Sequence, residues 1–273
     1  MVRNEGERLR RVAVCAPRTE YFRVDDLAEH NIREVADPQR ARAQHEALRA
    51  LLEMQGVEVV DIDECPGHPN SVFTRDMAVG TPGGFIRASM GIPTRVGEER
   101  WMALALGGLG EPCAGAIHPP ATLEGGDVVL VGRVAFVGLS KRTNCEGISQ
   151  LEAILGPLGV EVRVVSLPHP YLHLDQILGV LAPDTLVVCQ DLIEPAALDG
   201  FQTVPLPCRR FNVNFICLGP GEIVVPAVNH PLIAAAQAAG ARVHAIDLSE
   251  FAKGTGGPNC LVMPIERREK GHP

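Results

Sequence analysis

At 273 residues, with 46% apolar and 21% charged residues, the chain has the balance of a globular protein with a core of its own. Its net charge of −8 opposes binding to nucleic acid or an anionic membrane and favours cationic ligands. The polar start MVRNEGERLRR leads into no apolar signal segment, and the longest apolar stretches, such as 128–139, are broken by Gly and Arg well short of a spanning length. A cytoplasmic protein is expected.

In chain order, RVAVCAP (11–17) reads as a strand, and the polar, irregular stretch 17–37 reads as a candidate lid. Apolar residues at a spacing near 3.6 predict an amphipathic helix over 38–55, and EVVDID (58–63) predicts a second strand. Then comes a recurring hairpin. SVFTRDMAVG–TPG–GFIRAS, LEGGDVVLVG–RVAFVGLS, YLHLDQILGVL–APD–TLVVCQ and FNVNFICLG–PGE–IVVPAV each read as strand, turn, strand. Helices are predicted around 98–108, 146–157 and 230–240, the last ended by Gly240, with lone strands at 160–167 and 241–249. A fifth first strand, PNCLVMPIER, ends the pattern without a partner, and RVAVCAP is free to supply one, closing a ring that leaves no exposed edge. No linker interrupts the series, so residues 1–273 are expected to form one domain.

The eight cysteines include no C-x-x-C pair, and several lie in apolar runs. All but Cys260 read as small buried hydrophobes rather than disulfide partners. Their spacing does not suit structural zinc. His169 and His173 have an H-x-x-x-H spacing, but Pro170 between them opposes a metal-binding helix, so neither metal nor cofactor is expected.

Within each first strand a polar, reactive residue holds a similar place. Asp76, Glu124, His173, Asn214 and Cys260 recur every 41 to 49 positions, the signature of a repeat architecture. If the repeats are arranged radially, two carboxylates, an imidazole, an amide and a thiol converge on one axis. Cys260 differs from the other thiols in opening a strand after the Gly-rich turn GTGGPN.

FTRD (73–76), EGGD (124–127), SKRTNCEGISQL (140–151), HLD (173–175), the Asn214 strand and SEFAKGTGGPNC (249–260) together resemble the guanidine-modifying superfamily of arginine deiminases, dimethylarginine dimethylaminohydrolases and amidinotransferases. The motifs follow the superfamily's order across nearly the whole chain. The resemblance implies an α/β fold, a five-fold pseudo-symmetric α/β-propeller of ββαβ units, and allows a homodimer.

It also implies the chemistry. A guanidinium carbon is resonance-stabilised, and a thiolate splits its hydrolysis into formation and breakdown of a covalent thiouronium. Cys260 is the implied nucleophile, His173 the acid and then base, and Glu124 the carboxylate that orients His173. Asp76 and Asp175 are the implied guanidinium clamps, Asp175 sharing a strand face with His173. A surface pair between Asp76 and Arg75 is disfavoured, because adjacent strand residues point to opposite faces. Arg142, and as a second candidate Arg87, would bind a substrate carboxylate; Arg95 is a third candidate but reads rather as a solvated loop charge. Asn214 would bond substrate or brace a loop, and Asp127 reads as structural.

Which member is implied stays open. HLD and FTRD resemble arginine deiminases and amidinotransferases, whereas dimethylarginine hydrolases have HLK and an acid in place of the FTRD arginine. Chain length, the SVF start and the RTN-x-x-G segment resemble the dimethylarginine hydrolases. Expected products are citrulline with ammonia or an amine; capture of the amidino group by an amine, or a silent binding propeller, are the alternatives.

Overall fold

The computed structural model describes residues 1–208 and 212–268. Strand β1 (Arg8–Cys15) is followed by helix α1 (Pro38–Met54) and strand β2 (Glu58–Ile62), which runs parallel to β1. Strands β3 (Ala78–Thr81) and β4 (Gly84–Arg87) form an antiparallel hairpin. Helix α2 (Glu98–Gly108) then carries the chain to β5 (Cys113–Ala116), parallel to β4. The unit recurs as β6 (Val128–Val131), β7 (Val134–Leu139), α3 (Cys145–Leu155) and β8 (Glu161–Ser166). In the next repeat, β9 (Leu178–Ala182), β10 (Thr185–Cys189) and β11 (Gln202–Leu206), a single turn at Pro195–Leu198 replaces the helix. The fourth is β12 (Ile216–Gly219), β13 (Glu222–Pro226), α4 (His230–Ala238) and β14 (Arg242–Ile246). Helix α5 (Ser249–Lys253) precedes β15 (Met263–Arg268), which pairs antiparallel with β1.

Among the described residues this makes five three-stranded sheets, each an antiparallel pair with a parallel third strand; four of the pairs are hairpins and the fifth joins β1 to β15. The predicted ring closure is present, with Val12 opposite Pro264 and Ala13 opposite Met263. The start of the fourth predicted hairpin, at Phe211, lies outside the described residues.

The helices begin where the sequence offers caps. The Asp37 carboxylate accepts from Arg40 N at 2.8 Å ahead of Pro38, and α1 then buries Ala41, Leu48 and Leu52 on one stripe. Asn144 caps α3 by accepting from Gly147 N at 2.8 Å. Each fully buried leucine contributes roughly 1.5–3 kcal/mol.

The N-terminal residues close one end of the axis. Glu5 N donates to Leu130 O at 2.8 Å, and Asn4 Nδ2 donates to Pro183 O at 2.9 Å. Arg75, the FTRD arginine, turns to that end and donates to Glu5 Oε1 at 2.7 Å, which separates it from its neighbour Asp76. Among the described residues, no helix is long and apolar enough to cross a membrane.

The structure corrects the reading of the thiols. Cys189 and Cys208 form a disulfide with Cα atoms 5.3 Å apart. The parallel register puts Cys189 opposite Leu206, so Cys208 arrives beside it two residues later. Cys113 and Cys145 are exposed rather than buried.

Candidate active site

The five periodic residues do converge, but not from within strands. Asp76 lies in the one-turn helix Thr74–Met77, and Glu124 opens the turn Gly125–Asp127. His173 opens Leu174–Gln176, which contains Asp175, and Cys260 lies in Asn259–Leu261. Asn214 precedes β12 in an irregular segment. Each turn leads into the first strand of a hairpin, so the side chains sit at the mouths of the inner strands. His173 and Asp175 consequently share a tight turn and not a strand face.

Glu124 is the hub. Its carboxylate meets His173 Nε2 at 2.7 Å, accepts from Gly91 N at 2.9 Å and accepts from Arg142 Nη1 at 3.2 Å. With Nε2 so held, His173 Nδ1 faces Asp76 Oδ1 at 3.6 Å. Asp127 braces this turn, accepting from Ser140 Oγ, Thr143 Oγ1 and Leu174 N. Its expected structural part is what the bonds describe.

The thiol of Cys260 accepts weakly from Gly257 N and Asn214 Nδ2, both at 3.4 Å, and lies 4.0 Å from Asp175 Oδ2. That oxygen also accepts from Asn214 Nδ2 at 2.9 Å and Asn259 Nδ2 at 3.0 Å. Asn214 thus braces the loop and touches the thiol. Gly257 is required by close approach, since a Cβ there would stand 2.4 Å from Asn214 Oδ1.

Electrostatics follow from burial against these partners. Desolvation and the charges of Asp175 and Asp76 push the Cys260 thiol well up, outweighing its two donors. Burial also lifts Asp175 to about 6. Desolvation alone would lower His173, but Asp76, the bond to Glu124 and the charge of Asp127 overcome it and raise its pKa to about 9. For Glu124 the bond to His173 and the Arg142 charge beat desolvation and hold it well below the usual carboxylate range. Burial and the neighbouring charges thus favour the protonated thiol at Cys260 and the protonated imidazole at His173.

One cleft joins Asp76, His173, Arg142 and Cys260, and its free volume is only about 20 Å³. Asn31, from the stretch read as a lid, lines it too and donates to Thr255 Oγ1 at 3.0 Å; Arg33 N donates to Lys253 O. Stretch 17–37 is therefore tied, at Asn31 and Arg33, to the segment that leads to the thiol. Asp76 lines this cleft, whereas Asp175 borders a neighbouring small void and reaches the site at its Oδ2, 4.0 Å from Cys260 Sγ.

Two arginines depart from expectation. Arg95, read as a solvated charge, is 2% exposed and lines the cleft, with Nη1 on Asp76 Oδ2 at 2.6 Å and Nε on Glu98 Oε2 at 2.8 Å. Its signal was the R-x-x-E spacing that puts Glu98 one turn on. Arg87 is not brought to the cleft; from the end of β4, opposite Ala116 of β5, it borders a separate cavity with Met90 and Ile117. Asn259, unremarked in the sequence, is the second donor to Asp175.

Oxygen and nitrogen atoms of Asp76, Glu124 and His173 lie within 4.8 Å of one another, close enough for a metal ion. Arg95 on Asp76 and Arg142 on Glu124 already occupy carboxylate oxygens there and would compete with a metal ion for them.

Residues 18–199 match the family described as N,N dimethylarginine dimethylhydrolase, eukaryotic, and residues 210–267 match the arginine deiminase family. The N(G),N(G)-dimethylarginine dimethylaminohydrolase of Streptomyces coelicolor is 31% identical over 245 residues, covering 88% of this chain and 92% of that protein. This chain belongs to the guanidine-modifying superfamily. An uncharacterized superfamily relative from Aeropyrum pernix is 32% identical over 233 residues, 83% of this chain and 84% of its own. The superfamily fold is matched by the dimethylaminohydrolase of Pseudomonas aeruginosa, a cysteine-to-serine mutant complexed with citrulline. It superposes with a TM-score of 0.81 at 25% identity, covering 94% of this chain and 99% of that one.

Proposed function

We propose that this chain hydrolyses the guanidino C–N bond of free arginine or a close arginine derivative, through a covalent bond between Cys260 and the guanidinium carbon. The observation that carries the reading is a charge deficit. Asp76 Oδ1 and Asp175 Oδ1 are both buried without a hydrogen-bond donor, near a thiol kept neutral by burial and by those same carboxylates. Buried acceptors left bare cost about 1–3 kcal/mol each or more. A bound guanidinium would satisfy them and, by its own charge, lower the Cys260 pKa so that the thiolate forms only with substrate present.

The Asp76–Arg95 pair has to open for this, because 20 Å³ cannot hold an amino acid. In the reading proposed here the substrate guanidinium takes over Asp76, and Arg95 with Arg142 turns to the α-carboxylate. Cys260 then adds to the carbon. His173, protonated up to about pH 9, gives the Nδ1 proton to the departing nitrogen, since Nε2 is held by Glu124. Left neutral, it takes a proton from water as water attacks the thiouronium, and the thiolate leaves citrulline behind.

On substrate, an acid at Asp175 rather than the lysine of HLK favours an unsubstituted guanidinium. N-methyl groups would leave the clamp short of a donor at about 1–3 kcal/mol. The family match over 18–199 favours methylated arginine as the second reading. The deciding experiment is a panel of arginine, mono- and dimethylarginine, hydroxyarginine and agmatine, read by citrulline and released amine, with Cys260→Ser alongside. Turnover of arginine without added amine, and its loss with the covalent adduct in Cys260→Ser, is the expected result. Unchanged turnover in Cys260→Ser overturns the mechanism, and product formed only when glycine is supplied replaces hydrolysis by amidino transfer.

A further inference from the structure

Arg87 was singled out by the sequence and is left unused by the site. Its cavity, between the start of α2 and the strap 117–122, has a free volume of about 190 Å³, well above that of the Cys260 cleft. Arg87 Nε is buried with no hydrogen-bond partner among the described residues, and the guanidinium enters no ion pair among them. Arg87 is half-buried, so its guanidinium borders the cavity without a protein carboxylate paired to it and can donate a charge-assisted bond to an anion.

The remaining walls are mostly apolar, with Met90, Ile117, Pro119 and Val96, while Arg100 stands at the rim, 72% of its side chain exposed. Glu99 reaches the same cavity, its Oε2 accepting from Gly97 N at 2.8 Å and its Oε1 3.8 Å from Arg100 Nε. Two arginines against one glutamate leave the space net positive. Sites for drug-sized molecules run to roughly 300–1,000 Å³, so this one suits something smaller.

We infer that this cavity is a second ligand site, which takes a small organic carboxylate with a branched apolar body, the carboxylate on Arg87 and the body against Ile117 and Met90. Whether the carboxylate comes from a simple acid or from an amino acid turns on Glu99, which would meet an ammonium. The strap continues into Leu123, whose N and O pair with Ser89, and then into Glu124, so an occupant rests on the segment that carries the hub of the cleft. None of this depends on the hydrolase reading.

The test is calorimetric titration of the full chain with 4-methylpentanoate, leucine and isopentylamine, repeated in Arg87→Gln, Arg100→Glu and Arg142→Ala. The expected result is binding of 4-methylpentanoate, none of isopentylamine, and at least about tenfold weakening in Arg87→Gln, the loss of one charge-assisted bond. Affinity should be retained in Arg142→Ala. Arg100→Glu, at an exposed helix position, should weaken binding several-fold and keeps the test open if Arg87→Gln folds poorly. Leucine tighter than 4-methylpentanoate assigns an amino acid; leucine equal or weaker assigns a simple acid. No binding of either carboxylate, affinity unchanged in both charge variants, or loss in Arg142→Ala overturns the site.

Discussion

Asp175 offers the sharpest test of how the thiol is controlled. Its Oδ2 stands 4.0 Å from Cys260 Sγ while accepting from Asn214 and Asn259, and its pKa of about 6 leaves it charged at neutral pH. Asp175→Asn preserves shape and one acceptor oxygen but deletes the charge. A unit charge at that distance is worth about 4 kcal/mol at an effective dielectric of 20, close to 3 pKa units. Screening and relaxation bring the expected drop in the Cys260 pKa to between about one and three units. The assay is the pH dependence of iodoacetamide inactivation, with thiolate absorbance as a second probe. Faster alkylation at pH 7 should come together with weaker arginine turnover, because the substrate's guanidinium loses a carboxylate. An inflection that stays put, or moves up, refutes the claim that Asp175 holds the thiol neutral.

A Cβ on Gly126 would stand 2.8 Å from Asp76 Oδ1, His173 Cγ and His173 Nδ1, so Gly126→Ala should push the imidazole off its partners. Turnover should fall about 100-fold, the scale of a 1 Å misplacement, with melting changed far less. The raised pKa of His173 also makes a stability prediction. The folded state holds a proton that the unfolded chain releases above about 6.5, so this contribution is complete below pH 6.5 and is lost as pH rises through about 9. A few kcal/mol at most should vanish across that window in denaturant melts, and His173→Gln should flatten the loss. Finally, Cys189 and Cys208 close a loop of 19 residues, which predicts about 3 kcal/mol from chain entropy. Under denaturing, non-reducing conditions a thiol titration should count the six remaining cysteines, and Cys208→Ser should lower stability without changing turnover.

The ring was legible because every hairpin is bracketed by turn residues and followed by a parallel strand, and because the unpartnered PNCLVMPIER demanded RVAVCAP. The convergence of Asp76, Glu124, His173, Asn214 and Cys260 was legible for the same reason, since equal places in a radial repeat meet on the axis. Their local conformation was not. One-turn helices closed by bonds such as Asp127 N to Glu124 O and Gln176 N to His173 O span three residues, too few for a period of three to be told from a period of two. Arg95 escaped because its burial comes from Asp76, 19 positions earlier, as well as from Glu98. The disulfide escaped because only the register of β10 on β11 brings its halves together.

These misses share a cause that bears on the chemistry. Sequence patterns report where side chains point from their own element, whereas the charge state of this site is set by contacts between elements. Asp76 comes from one repeat, Glu124 from a second, His173 and Asp175 from a third, and Cys260 from the last. In isolation each acid would be an ordinary carboxylate and the thiol an ordinary thiol. Assembled, the acids split. Glu124 is kept ionised by His173 and Arg142, Asp175 is lifted toward neutrality by burial, and Cys260 is denied its anion by burial and the nearby acids. In the mechanism proposed above, a nucleophile switched on by the arrival of a cation is protected from oxidation and from stray electrophiles while it waits, because the thiolate is the reactive form. On that proposal, the deficit that selects a guanidinium is also what keeps the free enzyme quiet.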